Sequence, residues 1–434
     1  MIRKLLWLFV ILVGGALLSE GAARVLYRVV EHRPFDADAV DARRRQFLGE
    51  ARALDVHDRR SSAGSELALH PYVGFVYDPA FDPDGRRAGH GVPTSEWGFL
   101  DDGPPVRSGG PDEVVVGIFG GSMAWWVSNQ GASALIEELG RIPEFRDKRI
   151  VVVRTALGGA KQPQQFMTLA YLLALGGHFD VVIELDGFNE VALPPQSNLK
   201  RGVFPFYPRD WVTMVDDLDD PMVTRLAGEI TALTRLRGLW AGWFLHPGLR
   251  DSAVAAIVWR AGDGALGRIT SGRRLALAGY EGRLGVDQRR FSSHGPKREY
   301  ADEDAMYADL VAVWARSSIE MARLTRANGG RFYHFLQPNQ YLPDSKPIGD
   351  EERRIAIRTG SEFGDSVRKA YPRMQGAGDE LRRQGVAFED LTAIFAGIEE
   401  PLYVDDCCHV NPKGNALIGR RIGETIARQM ATGN

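Results

Sequence analysis

The sequence predicts an α/β fold: a three-layer sandwich built on a five-stranded parallel, flavodoxin-like sheet. Two observations carry this. Runs rich in β-branched residues, "EVVVGIF" (113–119), "RIVVVR" (149–154) and "DVVIEL" (180–185), recur at intervals of about 30 residues, which suits βαβ units. The runs are also nearly continuous in apolar residues, as parallel strands covered on both faces require.

The N-terminus comes first in chain order. Arg3 and Lys4 precede an apolar stretch over residues 5–18. As a helix that stretch rises ~21 Å, short of a ~30 Å bilayer core. Lys4 and Arg24 lie 20 positions apart, about the required span if both side chains snorkel to the interfaces. Residues 1–30 are therefore expected to be an uncleaved membrane anchor, with a cleaved signal peptide as the competing reading. Either implies export. Residues 31–110 are polar and rich in Asp, Arg, Pro and Gly, and read as a stalk and an extended flap. The main domain is expected over 111–434.

Within that domain, "SNQGASALIEELGRI" and "QPQQFMTLAYLLAL" show helical apolar spacing between the first three strands. "RFYHFLQP" and "VAFEDLT" supply the fourth and fifth strands, near 331–336 and 386–391. A helix over roughly 303–327 precedes the fourth strand, and "GNALIGRRIGETIARQM" forms a terminal helix. A long insert, about 191–300, separates strands three and four. With 53 Lys and Arg against 56 Asp and Glu, the chain has no basic excess to suggest nucleic acid. Its two cysteines, Cys407 and Cys408, are neighbours in sequence and are expected to be free thiols.

Ligands of open parallel sheets collect outside the carboxyl ends of the strands. Gly120, Gly121 and Ser122 follow the first strand, and "TALGGAKQPQQ" follows the second. "DGFNEV" follows the third, and "YVDDCCHVNPKGN" stands in the C-terminal loop. Acyl transfer needs these groups. A serine needs a base, a histidine base needs a carboxylate to fix its tautomer, and the oxyanion needs fixed donors. A phosphate cradle fits poorly, since no Lys-Ser/Thr follows the glycines. The nine histidines are scattered, so no metal or cofactor is expected.

In order and spacing these motifs resemble the SGNH (GDSL-type) hydrolases. "GGS" stands for that family's serine block, "ALGG" for its glycine block and "GFNE" for its Gly-x-Asn block. "DDCCH" matches its C-terminal Asp-x-x-His. The resemblance implies Ser122 as nucleophile, His409 as base and Asp406 as the carboxylate orienting it. It implies an oxyanion hole from the N–H groups of Ser122 and Gly159 and the Asn189 amide. The chain departs from the family at Gly121, which replaces an acid, at Arg154, where asparagine is frequent, and at Glu190, which replaces Asp.

The expected activity is that of a membrane-anchored, extracytoplasmic serine esterase. Its substrate would be a small acyl ester or acylated glycan, including O-acetyl groups on polysaccharide. The alternatives are an O-acyltransferase using the same residues and a non-catalytic envelope scaffold. Trp125 and Trp126 are expected to pack against the sheet, with a role in lining a substrate surface as the alternative.

Overall fold

The computed structural model describes residues 2–58, 67–79, 92–219, 221–281 and 290–432. Parts of the expected flap (59–66 and 80–91) and insert (220 and 282–289) lie outside the described residues. The chain divides into two compact units. One combines Met1–Gly64 with Val215–Arg289, the other Ser65–Met214 with Arg290–Asn434.

The second unit opens with an antiparallel hairpin, β1 (Leu67–His70) and β2 (Gly74–Tyr77). Five parallel strands follow: β3 (Glu113–Gly120), β4 (Arg149–Arg154), β5 (Val181–Asp186), β6 (Arg331–Leu336) and β7 (Ala387–Asp390). Their order across the sheet is β4-β3-β5-β6-β7. Each boundary falls within one residue of the predicted run. Val115, Val116, Val181, Val182 and Ile183 are fully buried, which is why the runs do not alternate. Helices Ser122–Gln130, Gln164–Ala174, Glu303–Ala327 and Glu362–Arg383 connect the strands, and Pro412–Thr432 closes the chain. Because all strands of this five-stranded sheet run the same way, the loops carrying the predicted motifs share one sheet edge.

Among the described residues the first unit contains four long helices, Ile2–Glu31, Ala37–Asp58, Pro221–Trp243 and Ala253–Glu281. Tyr27, Val40, Ala241, Phe244, Ala256 and Trp259 form its core. The Arg44 guanidinium is fully buried within it, over the Trp259 ring, and donates to Asp41 and to the Phe244 carbonyl at 3.1 Å each.

This unit corrects the expected membrane anchor. Among the described residues no helix is long and apolar enough to cross a membrane. Ile2–Glu31 has the length, but Glu20, Arg24, Arg28 and Glu31 interrupt its second half. Two of these charges are committed to the Ala253–Glu281 helix. Glu20 accepts from Ala253 N at 2.7 Å and from Ser252 Oγ at 2.9 Å, and Glu31 pairs with Arg260. The single N-terminal anchor is not supported, and the support that it lent to an extracytoplasmic placement goes with it.

Candidate functional site

β3 ends at Gly120, whose φ of +138° strongly favours glycine. Gly121 caps the helix Ser122–Gln130 and has a different reason to lack a side chain: a Cβ there would lie 2.1 Å from Asn189 Nδ2. The two glycines bring the chain sharply from strand to helix and set Ser122 at the first helical position. There the positive end of the helix dipole favours developing negative charge. Arg154 anchors this helix, donating from Nε to Ser128 O at 3.0 Å and from Nη1 to Asp101 Oδ1 at 3.0 Å. Trp125 is buried in the core and meets Trp126 edge to face, the packing role expected for both.

His409 Nε2 lies 2.6 Å from Ser122 Oγ. Its other ring nitrogen meets Asp405, not the predicted Asp406. The local geometry explains the correction. Asp405 Oδ1 accepts the backbone N–H groups of Cys407, Cys408 and His409 at 3.0, 3.1 and 3.2 Å. The loop thus wraps around the Asp405 carboxylate and brings the His409 ring onto its second oxygen. Asp406 turns away to an ion pair with Arg358 Nε at 2.9 Å. Burial opposes ionisation of Asp405, but the His409 hydrogen bond, its charge and the loop N–H groups hold the carboxyl below its ordinary value.

The same loop is fastened from outside. Gln340 Nε2 donates to Asp405 O at 3.0 Å and Asn339 Nδ2 to Cys407 O at 3.1 Å. Glu352 accepts Leu402 N and Tyr403 N at 2.8 and 2.7 Å and is itself paired with buried Lys346. Both cysteines are free, with their sulfurs 3.0 Å apart, and burial pushes the Cys408 thiol up. Cys407, Cys408 and His409 are close enough together to hold a metal. Both His409 nitrogens, however, are already engaged by Asp405 and Ser122, so a metal there would dismantle the pair.

Gly159, at φ +79°, lies in the glycine loop, and its neighbour Gly158 donates its N–H to Tyr77 Oη at 3.2 Å. Asn189 is almost fully buried; its amide donates to Ala160 O at 2.7 Å and borders the Gly121 Cα. Asn189 therefore ties the glycine loop to the start of the serine helix. Glu190 fastens the same two segments. Its carboxylate accepts Gly187 N at 2.8 Å, Gln165 Nε2 at 3.0 Å and Gln162 N at 3.2 Å. Burial and then the charge of Asp186 push Glu190 up to about 8, against the hydrogen bonds from Gln165 and Gly187. Lys161 is also buried, and desolvation pushes it down to about 7, opposed by the Glu190 charge.

A second serine, histidine and aspartate meet deeper in the fold. His334 contacts Ser318 at 2.7 Å and Asp186 at 2.8 Å, and Asp186 also accepts from Trp314 Nε1. All four side chains are buried in the core, where no substrate reaches them. Access, not residue type, separates the two sets.

Of the predicted residues, Ser122, His409 and Asn189 are brought to one place with the glycine loop, and Asp406 is not. Asp405, Gln340, Asn339 and Tyr77 escape the sequence reading. "LQPNQ", at the carboxyl end of the fourth strand, was the signal for two of them. Comparison with protein families and with curated proteins finds no match for this chain.

Proposed function

We propose that this protein is a serine esterase of the SGNH (GDSL-type) class, acting on a small acyl ester such as an O-acetyl group on a polysaccharide. We read the five-stranded sheet and its helices as a three-layer, flavodoxin-like sandwich. The observation that carries the proposal is the 2.6 Å approach of His409 Nε2 to Ser122 Oγ, with Asp405 on the opposite ring nitrogen.

In this reading His409 takes the Ser122 proton as Oγ attacks the ester carbonyl. Asp405 holds the imidazole in the required tautomer and supports the imidazolium. The tetrahedral oxyanion is received by the N–H groups of Ser122 and Gly159 and by the Asn189 amide. His409 then returns the proton to the departing alcohol, and water, activated by the same histidine, releases the acid. If a hydroxyl acceptor replaces water, the same acyl-enzyme gives an O-acyltransferase.

The test is labelling with a serine-directed fluorophosphonate together with hydrolysis of an aryl acetate. Wild type is expected to be labelled and active, and folded Ser122→Ala to be neither. A label that persists in Ser122→Ala places the nucleophile elsewhere. A folded wild type that takes no label and cleaves no ester points to a scaffold. Product analysis with a polysaccharide acceptor separates hydrolysis from transfer.

A further inference from the structure

Cys407 and Cys408 lie inside the loop that aims His409. Cys408 is 1% exposed and packs as a small apolar side chain, which needs no further role. Cys407 is only half-buried, yet its sulfur meets that of Cys408 at 3.0 Å. The backbone that carries both thiols is fixed. The amides of Cys407 and Cys408 are held on Asp405 Oδ1 at 3.0 and 3.1 Å, and the Cys407 carbonyl accepts from Asn339 at 3.1 Å.

The paired sulfurs have a nitrogen beside them. Cys407 Sγ, Cys408 Sγ and one ring nitrogen of His409 lie within 4.8 Å of one another. Bonds of about 2.3 Å from zinc to sulfur and 2.0–2.1 Å to nitrogen set tetrahedral ligand atoms roughly 3.6 Å apart, so shifts of about 1 Å bring all three onto one ion. A disulfide is the other use of two thiols, but neighbouring Cα atoms stand ~3.8 Å apart, below the range of unstrained bridges. A shared ion needs no S–S bond. Thiolate with imidazole favours Zn²⁺ or Cu⁺ over Mg²⁺ and Ca²⁺, which prefer oxygen.

We propose that Cys407, Cys408 and His409 form a binding site for a thiophilic divalent cation such as Zn²⁺, whose arrival switches the Ser122–His409 pair off. Two thiols and the cation give a dithiolate complex and release two protons, and an imidazole lone pair is the third donor. If Nδ1 supplies it, the Asp405 contact is broken; if Nε2 does, the Ser122 contact is. Either way the base is lost. The His409 side chain is 20% exposed, which gives the ion a way in. A closed structural zinc site has four protein ligands; three suit an ion that comes and goes. The switch rests on the esterase reading; the metal site itself does not.

Cadmium, whose thiolate complexes absorb in the ultraviolet, is the first probe and zinc the second. Each is titrated into the full chain, reduced with a phosphine and freed of metal, as wild type, Cys407→Ser and His409→Ala. Wild type is expected to bind Cd²⁺ with a sulfur-to-metal charge-transfer band that Mg²⁺ does not displace. Affinity is expected to fall by about 10–100-fold or more in each variant, since even outer-shell partners act on that scale. Zn²⁺ is expected to block fluorophosphonate labelling of wild type over the concentrations at which it binds, with chelation restoring the label. Labelling of Cys407→Ser is expected to resist the same Zn²⁺. A folded, reduced wild type without the band, or an affinity unchanged in Cys407→Ser, overturns the site. An affinity unchanged in His409→Ala, labelling that survives saturation with Zn²⁺, or equal Zn²⁺ sensitivity in Cys407→Ser overturns the switch. A band that weakens in both variants, in a wild type that takes no label even without metal, upholds the metal site and removes the esterase reading instead.

Discussion

His409 and Ser122 stand 287 residues apart in the chain, and their side chains meet at 2.6 Å. The approach is set by the helices that follow each of them. Asn415, in the helix Pro412–Thr432, donates to Gln130 Oε1 at 2.7 Å, at the end of the serine helix, and to Val410 O at 3.0 Å. Further along, the helix lies so close to Gly131 that a Cβ on Gly419 would sit 2.4 Å from the Gly131 carbonyl oxygen. The pair is therefore positioned by helix packing, and the Asp405 loop only aims the ring.

The carboxylate serving His409 can be separated from its neighbour by paired substitutions. Asp405→Asn removes the charge behind the imidazole and presents an amide where an acceptor is needed. It is expected to lower kcat for aryl acetate by about 10³–10⁴. Asp406→Asn breaks only a surface pair with Arg358 and is expected to change kcat less than about threefold. A larger loss in the Asp406 variant would restore the assignment read from sequence.

The space at Gly121 is taken by the Asn189 amide, so Gly121→Ala should displace that amide. Losing one oxyanion donor costs about 10²–10³ in kcat. Gly121→Ala and Asn189→Ala are expected to fall in that range, and the double variant to lose little more than the worse single one, because both act on one group. Fully multiplicative losses in the kinetics would show that Gly121 acts by another route.

Some of this was legible in the sequence and some was not, for physical reasons. β3, β5 and β6, buried on both faces, read as nearly continuous apolar runs, and the partly buried edge strands β4 and β7 were legible from their shorter apolar segments. Ser122, Asn189 and His409 follow strands or close the terminal loop, where topology alone brings them together. The choice between Asp405 and Asp406 depends on which carboxylate the Cys407, Cys408 and His409 amides surround, and a doublet of identical residues conceals it. Tyr77 reaches the glycine loop by tertiary packing from a segment with no motif of its own. The N-terminal helix misled because its apolar half suggests a bilayer, whereas its charged half bonds to a helix more than 200 residues away.

That last contact yields its own prediction. Glu20 accepts from the first amides of the Ala253–Glu281 helix, as an N-cap side chain would. Glu20→Ala is expected to destabilise this helix end by about 1 kcal/mol. Hydrogen exchange should accelerate at the Ala253 and Val254 amides while the β-sheet amides stay protected. Unchanged exchange at those two positions would mean that the contact is incidental.

Glu190 provides the test by pH. Burial and the Asp186 charge raise its folded pKa to about 8 from an ordinary value of 4.5. Between those values the folded state retains a proton that the unfolded chain has released. Stability from this group is thus fully present below pH 4.5 and declines as pH rises through 8. Lys161 acts oppositely: its folded pKa is lowered from 10.5 to about 7, so its contribution improves as pH rises through that window. Glu190→Gln keeps the side-chain shape and one acceptor oxygen, for either the Gly187 or the Gln162 amide but not both, and cannot ionise. The urea midpoint of wild type should therefore fall more steeply between pH 5 and 7 than that of Glu190→Gln, below most of the Lys161 window. Parallel slopes in the two proteins would mean that Glu190 carries its charge in the folded state, held by its three N–H donors. Ester hydrolysis should fall in the variant through kcat, because the carboxylate joins the glycine loop to the helix Phe188–Leu193 that carries Asn189.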